Sequence, residues 1–195
     1  MFRRGFKSWC ERAAVEKRSE LQLRPDDPLS PWKLAARMGI TIWHPADIPG
    51  LSTDALHVLL KGDPDGWSAV TLRLDSKDLV ILNSAHSPAR QASDLMHEIS
   101  HMLLAHRPSR VDVTEDMYLL LRTHDATQED EAVWLSGCLL LPRPALLSIQ
   151  RKRDPDPVAA QSFGVSVDML TYRRRMSGVE IQAKRARSRG YASSR

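Results

Sequence analysis

Leu95-Met96-His97-Glu98-Ile99-Ser100-His101-Met102-Leu103-Leu104-Ala105-His106 holds the pattern His-Glu-x-x-His in a run free of Gly and Pro. Such a run predicts a helix, and residues four apart on a helix are neighbours, so His97 and His101 stand one turn apart on one face. Leu95, Ile99 and Met102 recur at i, i+4 and i+7, an apolar stripe that would pack the helix onto a core while the histidines face elsewhere. With seven His and eight Glu in 195 residues, the bare pattern is roughly a one-in-a-hundred accident of composition. The helical context therefore carries as much of the reading as the match does.

Two imidazoles so placed can grip one zinc ion. Glu98 is offset around the helix, so its carboxylate reaches beside the ion, where it can take a proton from water on the metal. An open zinc site needs a third protein ligand from a separate segment. Glu129-Asp130-Glu131-Ala132-Val133-Trp134-Leu135-Ser136-Gly137-Cys138-Leu139-Leu140-Leu141-Pro142 reads as a second helix, acidic in its first turn where the dipole favours it and closed by Pro. Glu131 is the expected ligand. The plainer reading of the acidic run is a solvated helix start.

These two segments resemble the ImmA/IrrE family of metallo-endopeptidases, which carry His-Glu-x-x-His on one helix and Glu-Ala-Asn-x-Phe-Ala-x-x-Leu-Leu-x-Pro on the next. Glu131, Ala132, Leu139-Leu140 and Pro142 match the second pattern, whereas Val133 stands at the usual Asn and Leu135-Ser136 at Phe-Ala. The resemblance extends in general layout from about Arg4 to Gly178. It implies zinc held by His97, His101 and Glu131, with Glu98 as general base. It also implies a protein substrate, a helix-turn-helix transcriptional repressor cut to relieve repression of stress, phage or mobile-element genes.

The rest of the chain is consistent with an α+β, zincin-like domain. Phe6, Trp9, Ala13 and Lys17 step at helical spacing, and Ser30-Pro31 through Gly39 carries the punctuation of a short helix. Ile40 to Trp43, Leu56 to Leu60, Trp67 to Leu74 and Leu79 to Leu82 read as short strands of a small antiparallel or mixed sheet, the last two joined as a hairpin through Asp75-Ser76-Lys77-Asp78. An edge strand of such a sheet can pair with an extended substrate backbone. The helix of the first motif is expected to begin near Ser87-Pro88. His44, His57, His86 and His124 read as surface or satisfied core residues. So does His106, which a helical projection places roughly 140° from the ligand face. Tyr118 could donate to an oxyanion, although a packing role is commoner.

Cys10 and Cys138 lack CxxC spacing and read as free thiols of a reducing compartment. With no signal-peptide run and no eighteen-residue apolar stretch, the expectation is a cytoplasmic protein without membrane contact. After Asp154-Pro155-Asp156-Pro157, the stretch Val158 to Leu170 has the small residues, turn Gly and Ser cap of a helix-turn-helix, followed by Arg173, Arg174 and Arg175. From Arg173 to Arg195 the chain nets +7, leaving −3 elsewhere, although the whole is +4 with a pI near 9.3. The expected organisation is a peptidase domain over 1–153, a helical segment packed on it over 154–178, and a basic, disordered tail over 179–195 able to touch nucleic acid weakly and without sequence preference. The rival reading is a DNA-binding regulator whose metal site is structural or vestigial.

Overall fold

The computed structural model describes residues 2–74, 77–106, 110–113, 119–122 and 125–181; Tyr118, His124 and the basic tail beyond residue 181 lie outside them. The first helix, α1 (Phe6–Glu20), buries Phe6, Cys10, Ala13, Ala14 and Arg18. The inward residue in its last turn is thus Arg18 and not Lys17, because the guanidinium finds carbonyl acceptors inside. Arg18 Nη1 donates to Ala14 O at 3.0 Å and Nε to Asp27 O at 2.8 Å. Burial pulls its pKa down only to about 10, so the charge persists. Helix α2 (Pro31–Arg37) starts as its punctuation predicts, the Ser30 hydroxyl accepting from the Lys33 N–H.

Strand β1 (Thr41–Trp43) follows, but Leu56 to Leu60 is not a strand. Ser52 caps a helical turn there by accepting from the Ala55 N–H, giving α3 (Thr53–His57) and a π-type turn over Val58–Gly62. The cap and the acidic Asp54 behind it outweigh the apolar character of the run, and Val58 is left 62% exposed. β2 (Ala69–Leu74) and β3 (Lys77–Leu82) form the expected antiparallel hairpin, and β1 pairs with β3 in parallel. The sheet is therefore mixed, in the order β1-β3-β2, with β2 on its outside.

Helix α4 (Pro88–Leu103) packs across β2 and β3. A small antiparallel pair, β4 (Arg110–Val113) with β5 (Leu119–Arg122), lies between it and α5 (Ala126–Leu140) in the chain. In α5 nearly every residue from Ala132 onward is buried, as expected of a helix with neighbours on all sides; α1, α4 and α8 pack against it. The chain closes with α6 (Arg143–Lys152), α7 (Asp156–Ser162) and α8 (Val167–Ser177), the last capped by Ser166. The architecture is α+β, with one core shared by α1, α2, the sheet, α4, α5 and the C-terminal helices. Among the described residues no single helix is long and apolar enough to cross a membrane.

The C-terminal end of α5 is tied down by buried charge. Arg18 Nη2 donates to Leu140 O at 3.3 Å and Arg173 Nε to Leu141 O at 3.1 Å, satisfying carbonyls that a helix end leaves open. Arg173, 1% exposed, also meets the Glu11 carboxylate at 2.7 Å, and the other Glu11 oxygen accepts the Arg143 N–H at 2.8 Å. Gly137 makes room: a Cβ there would stand 2.8 Å from Arg173 Cδ.

Candidate metal centre

The first motif helix begins where its sequence says. The Ser87 hydroxyl accepts from the Arg90 N–H and Pro88 takes the first helical position. Leu95, Met96 and Ile99 are fully buried, which turns His97 and Glu98 toward a cleft between α4, β2, α5 and α8, with His101 one turn on from His97. His97 Nε2 and His101 Nε2 lie 3.0 Å apart.

The third group is Glu129. Its Oε2 stands 3.1 Å from His97 Nε2 and its Oε1 3.4 Å from His101 Nε2. His97, His101 and Glu129 form a group that could hold a metal ion. A small tetrahedral ion bonded at about 2.0–2.1 Å puts its donor atoms roughly 3.3 Å apart, so these separations fit such an ion. Glu131, the ligand expected from the sequence, is not brought into this group. Asp125 caps α5 by accepting from the N–H groups of Thr127 and Gln128, and that start sets the rotation. Glu129, Val133 and Ser136 then share the face at i, i+4 and i+7, and the latter two line the cleft. Glu131 heads a different stripe, continued by Leu135 and Cys138, both 0% exposed. The exposed Val133 and the hydroxyl of Ser136 at those spacings set the Glu129 face apart from the fully apolar stripe of Glu131, which is the signal the sequence offers.

The Glu131 carboxylate instead meets His106, Oε2 to Nε2 at 3.3 Å, and His106 Nδ1 stands 3.0 Å from His101 Nδ1. The helical projection fails for His106 because α4 ends at Leu103. Ala105 takes a left-handed φ of 52° and the His106 N–H bonds back to His101 O at 3.0 Å. His86 is buried and satisfied, Nδ1 at 3.0 Å from Asp94 Oδ2 and Nε2 at 3.0 Å from Pro64 O.

Burial pulls the His101 pKa down to about 4, the nearby His97 adding to the effect and Glu129 opposing it. His101 is therefore neutral at pH 7, the state a metal ligand needs. Glu98 is pushed above the ordinary carboxylate range by burial, against a hydrogen bond donated by the Thr71 hydroxyl and the attraction of His97, with Glu129 and Asp94 repelling it further. A carboxyl held high beside a prospective ion is suited to taking and returning a proton. The cleft has a volume of about 400 Å³, and Ser68, Ala69, Asp94, Val133 and Met169 stand on its walls with His97 and Glu98. A second hollow of about 260 Å³ adjoins it, sharing Ser93, Asp94 and Met169 and reaching Val165 and Ser166 at the turn between α7 and α8.

Of the three arginines that prompted the DNA-binding reading, Arg173 is buried on Glu11 and Arg174 pairs with Asp156. Arg175 alone of the three is exposed.

A structure of a Mycobacterium tuberculosis transcriptional regulator is similar to this one, with a TM-score of 0.52 at 16% identity over 88% of this chain and 47% of that one. At that identity the likeness is one of fold, and the chain spans about half the length of the regulator. No curated protein sequence matches the chain. The sequence profile of the M78 peptidases, described as the IrrE N-terminal-like domain, matches residues 57–175, which include both motif helices, the hairpin before them and most of α8. The chain belongs to this M78 peptidase family.

Proposed function

We propose that the protein is a zinc-dependent endopeptidase whose ion is held by His97, His101 and Glu129. The convergence of two imidazole nitrogens and one carboxylate on a single point, beside the half-buried Glu98 and a 400 Å³ cleft, carries this reading. Two nitrogens and one oxygen donor suit zinc. Zinc bound there supplies a Lewis acid for the scissile carbonyl and makes water acidic enough to lose a proton near neutral pH.

The protein's own residues do the rest. Glu98, held by the Thr71 hydroxyl, accepts a proton from the attacking water at its free oxygen and returns it to the departing amide nitrogen. β2 supplies the docking rail. It pairs with β3 on one side, no described strand pairs with its other side, and its Ala69 stands on the cleft wall. An extended substrate laid along it offers its backbone to the strand and a peptide bond to Glu98. The adjoining hollow, walled by Val165, Ser166 and Met169, gives the α7–α8 pair a place in receiving the substrate beyond that bond. As the family resemblance suggests, the physiological substrate is a helix-turn-helix repressor, whose cleavage relieves repression. The cytoplasm is where such a repressor is met.

The test is digestion of a peptide library by the zinc-supplemented full-length protein, read by mass spectrometry beside Glu98→Gln. Wild type is expected to generate new termini, and the variant to retain zinc while losing 10²–10⁴-fold in rate, on the order expected for a general base. Equal products from both, or none from either, would sink the reading. Candidate repressors are then offered intact, and cleavage at one bond is the expected result.

A further inference from the structure

We propose that His106, braced by Glu131, is a positioning residue for the metal ligand His101, selecting the tautomer of His101 that can bind a cation. The inference rests on the metal centre proposed above and extends it to two residues that make no contact with the ion.

The argument follows the protons. An imidazole that binds a cation through Nε2 must carry its proton on Nδ1. His101 Nε2 is the atom that faces His97 and Glu129, and His101 Nδ1 faces His106 Nδ1 at 3.0 Å. Two ring nitrogens at that distance share one hydrogen, so one donates and the other accepts. If His106 donated, His101 would keep its own proton on Nε2, where it would occupy the lone pair the ion needs. Glu131 decides between the two arrangements. Its carboxylate only accepts, and it lies 3.3 Å from His106 Nε2, so the proton of His106 is held on Nε2 and its Nδ1 is left as an acceptor. His101 then donates Nδ1–H to His106, and its Nε2 lone pair points at the cluster. The tautomers are fixed in one direction, from Glu131 inward.

The surroundings support a built arrangement. The side chains of His106 and Glu131 are 7% and 17% exposed, so water competes little for these bonds. His106 reaches His101 because the chain leaves α4 through Ala105 in the left-handed region, a conformation residues with a Cβ rarely adopt. Glu131, two residues from the proposed ligand Glu129, thereby acquires a role that its place in the second motif alone does not disclose.

The experiment measures zinc affinity by competition against a chelating dye in full-length protein. Melting of the metal-free form and the visible spectrum of the cobalt(II)-substituted form are read alongside. His106→Leu is expected to weaken zinc binding about 10- to 100-fold and to change the cobalt spectrum, with the metal-free melting temperature little altered. His106→Gln should restore most of the affinity, since its amide can accept from His101 and donate to Glu131. Glu131→Ala should weaken zinc by no more than His106→Leu, and the double variant by no more than the worse single one, because both act through one bond to His101. A residue that only held the fold would lower metal-free melting and would not be rescued by Gln. Wild-type zinc affinity in His106→Leu, alongside its loss in His97→Ala, overturns the relay and leaves the metal centre standing. Loss in Glu131→Ala equal to that in His97→Ala, with Glu129→Ala neutral, overturns it by making Glu131 the ligand. Absence of zinc binding in wild type removes the metal centre and the relay together.

Discussion

Helix α5 carries a polar cluster at each end, buried at one and half-exposed at the other, and the two are completed in different ways. At the C-terminal end Arg18 and Arg173 face open carbonyls, and Arg173 faces Glu11, whose second oxygen takes the Arg143 N–H. Donors meet acceptors and a positive charge meets a negative one, so the protein satisfies this cluster from its own atoms. At the N-terminal end His97 Nε2, His101 Nε2 and the Glu129 carboxylate confront one another within 3.4 Å. When both imidazoles carry their protons on Nδ1, all three turn lone pairs inward, and a cation is what would satisfy them together. What differs is which side of the ledger the protein fills, and from that follows which cluster supports the fold and which is ready for a ligand.

The comparison breaks first at the C-terminal end. Arg173→Ala leaves Glu11 without its buried partner, and losing one member of such a pair costs about 3–5 kcal/mol. For a chain of this length that lowers the melting temperature on the order of 10 °C. Arg175→Ala, exposed on the same helix, should stay within about 0.5 kcal/mol of wild type. Similar melting of the two variants would mean the Glu11 cluster holds nothing.

The opposite signature is expected at the other end. His97→Ala or Glu129→Ala should leave metal-free melting little changed, since both side chains are half-exposed and a contact between such groups is worth little. Each should weaken zinc on the order of a hundredfold, about 3 kcal/mol, one ligand's share of the 10–16 kcal/mol seen for four-ligand sites. Wild type with zinc in excess should melt higher than without it, and the variants should lose most of that increment. A large drop in metal-free melting in either variant would show that this cluster is structural too.

The smallest effect is a slope with pH. His101 titrates near 4 in the folded protein and near 6.5 unfolded. Between those values the unfolded chain binds a proton that the folded one refuses. The His101 contribution to the stability of the metal-free protein is therefore complete above about pH 6.5 and is lost as the pH falls toward 4. Urea midpoints at pH 7 and pH 4.5 should differ more in wild type than in His101→Gln, and equal differences would remove His101 from the account.

The parts of this fold visible in the sequence are those decided within a few residues. Ser87-Pro88 and Ser30-Pro31 start helices because a cap hydroxyl and a preset φ act locally, and the β2–β3 hairpin follows from two β-rich runs joined by a short polar turn. His97 and Glu98 line one cleft, and His101 meets His97, because the three share a helix. Which of Glu129 and Glu131 the fold sets beside the two histidines is not decided locally. It depends on where Asp125 starts α5 and on which face α4 covers, and two residues along a helix is roughly 200° of rotation. His106 was misplaced because the projection continued past the helix end at Leu103. The apparent strand at Leu56 to Leu60 was lost to a cap at Ser52 lying outside the β-rich run itself.

The side of β2 that no described strand covers also bears on solubility. A sheet edge able to accept a foreign backbone accepts a second copy of itself by the same hydrogen bonds, and proteins blunt that hazard with charge. Here the charge is confined to one end: Arg73 is exposed and forked onto Asp78 across the hairpin, with Lys77 beside it, while Ala69 at the other end stands on the cleft wall. A strand guarded at the hairpin and bare at the cleft disfavours the full-length stacking of sheets that leads to aggregates, yet leaves a short uncharged stretch beside Glu98 where a single extended segment can settle.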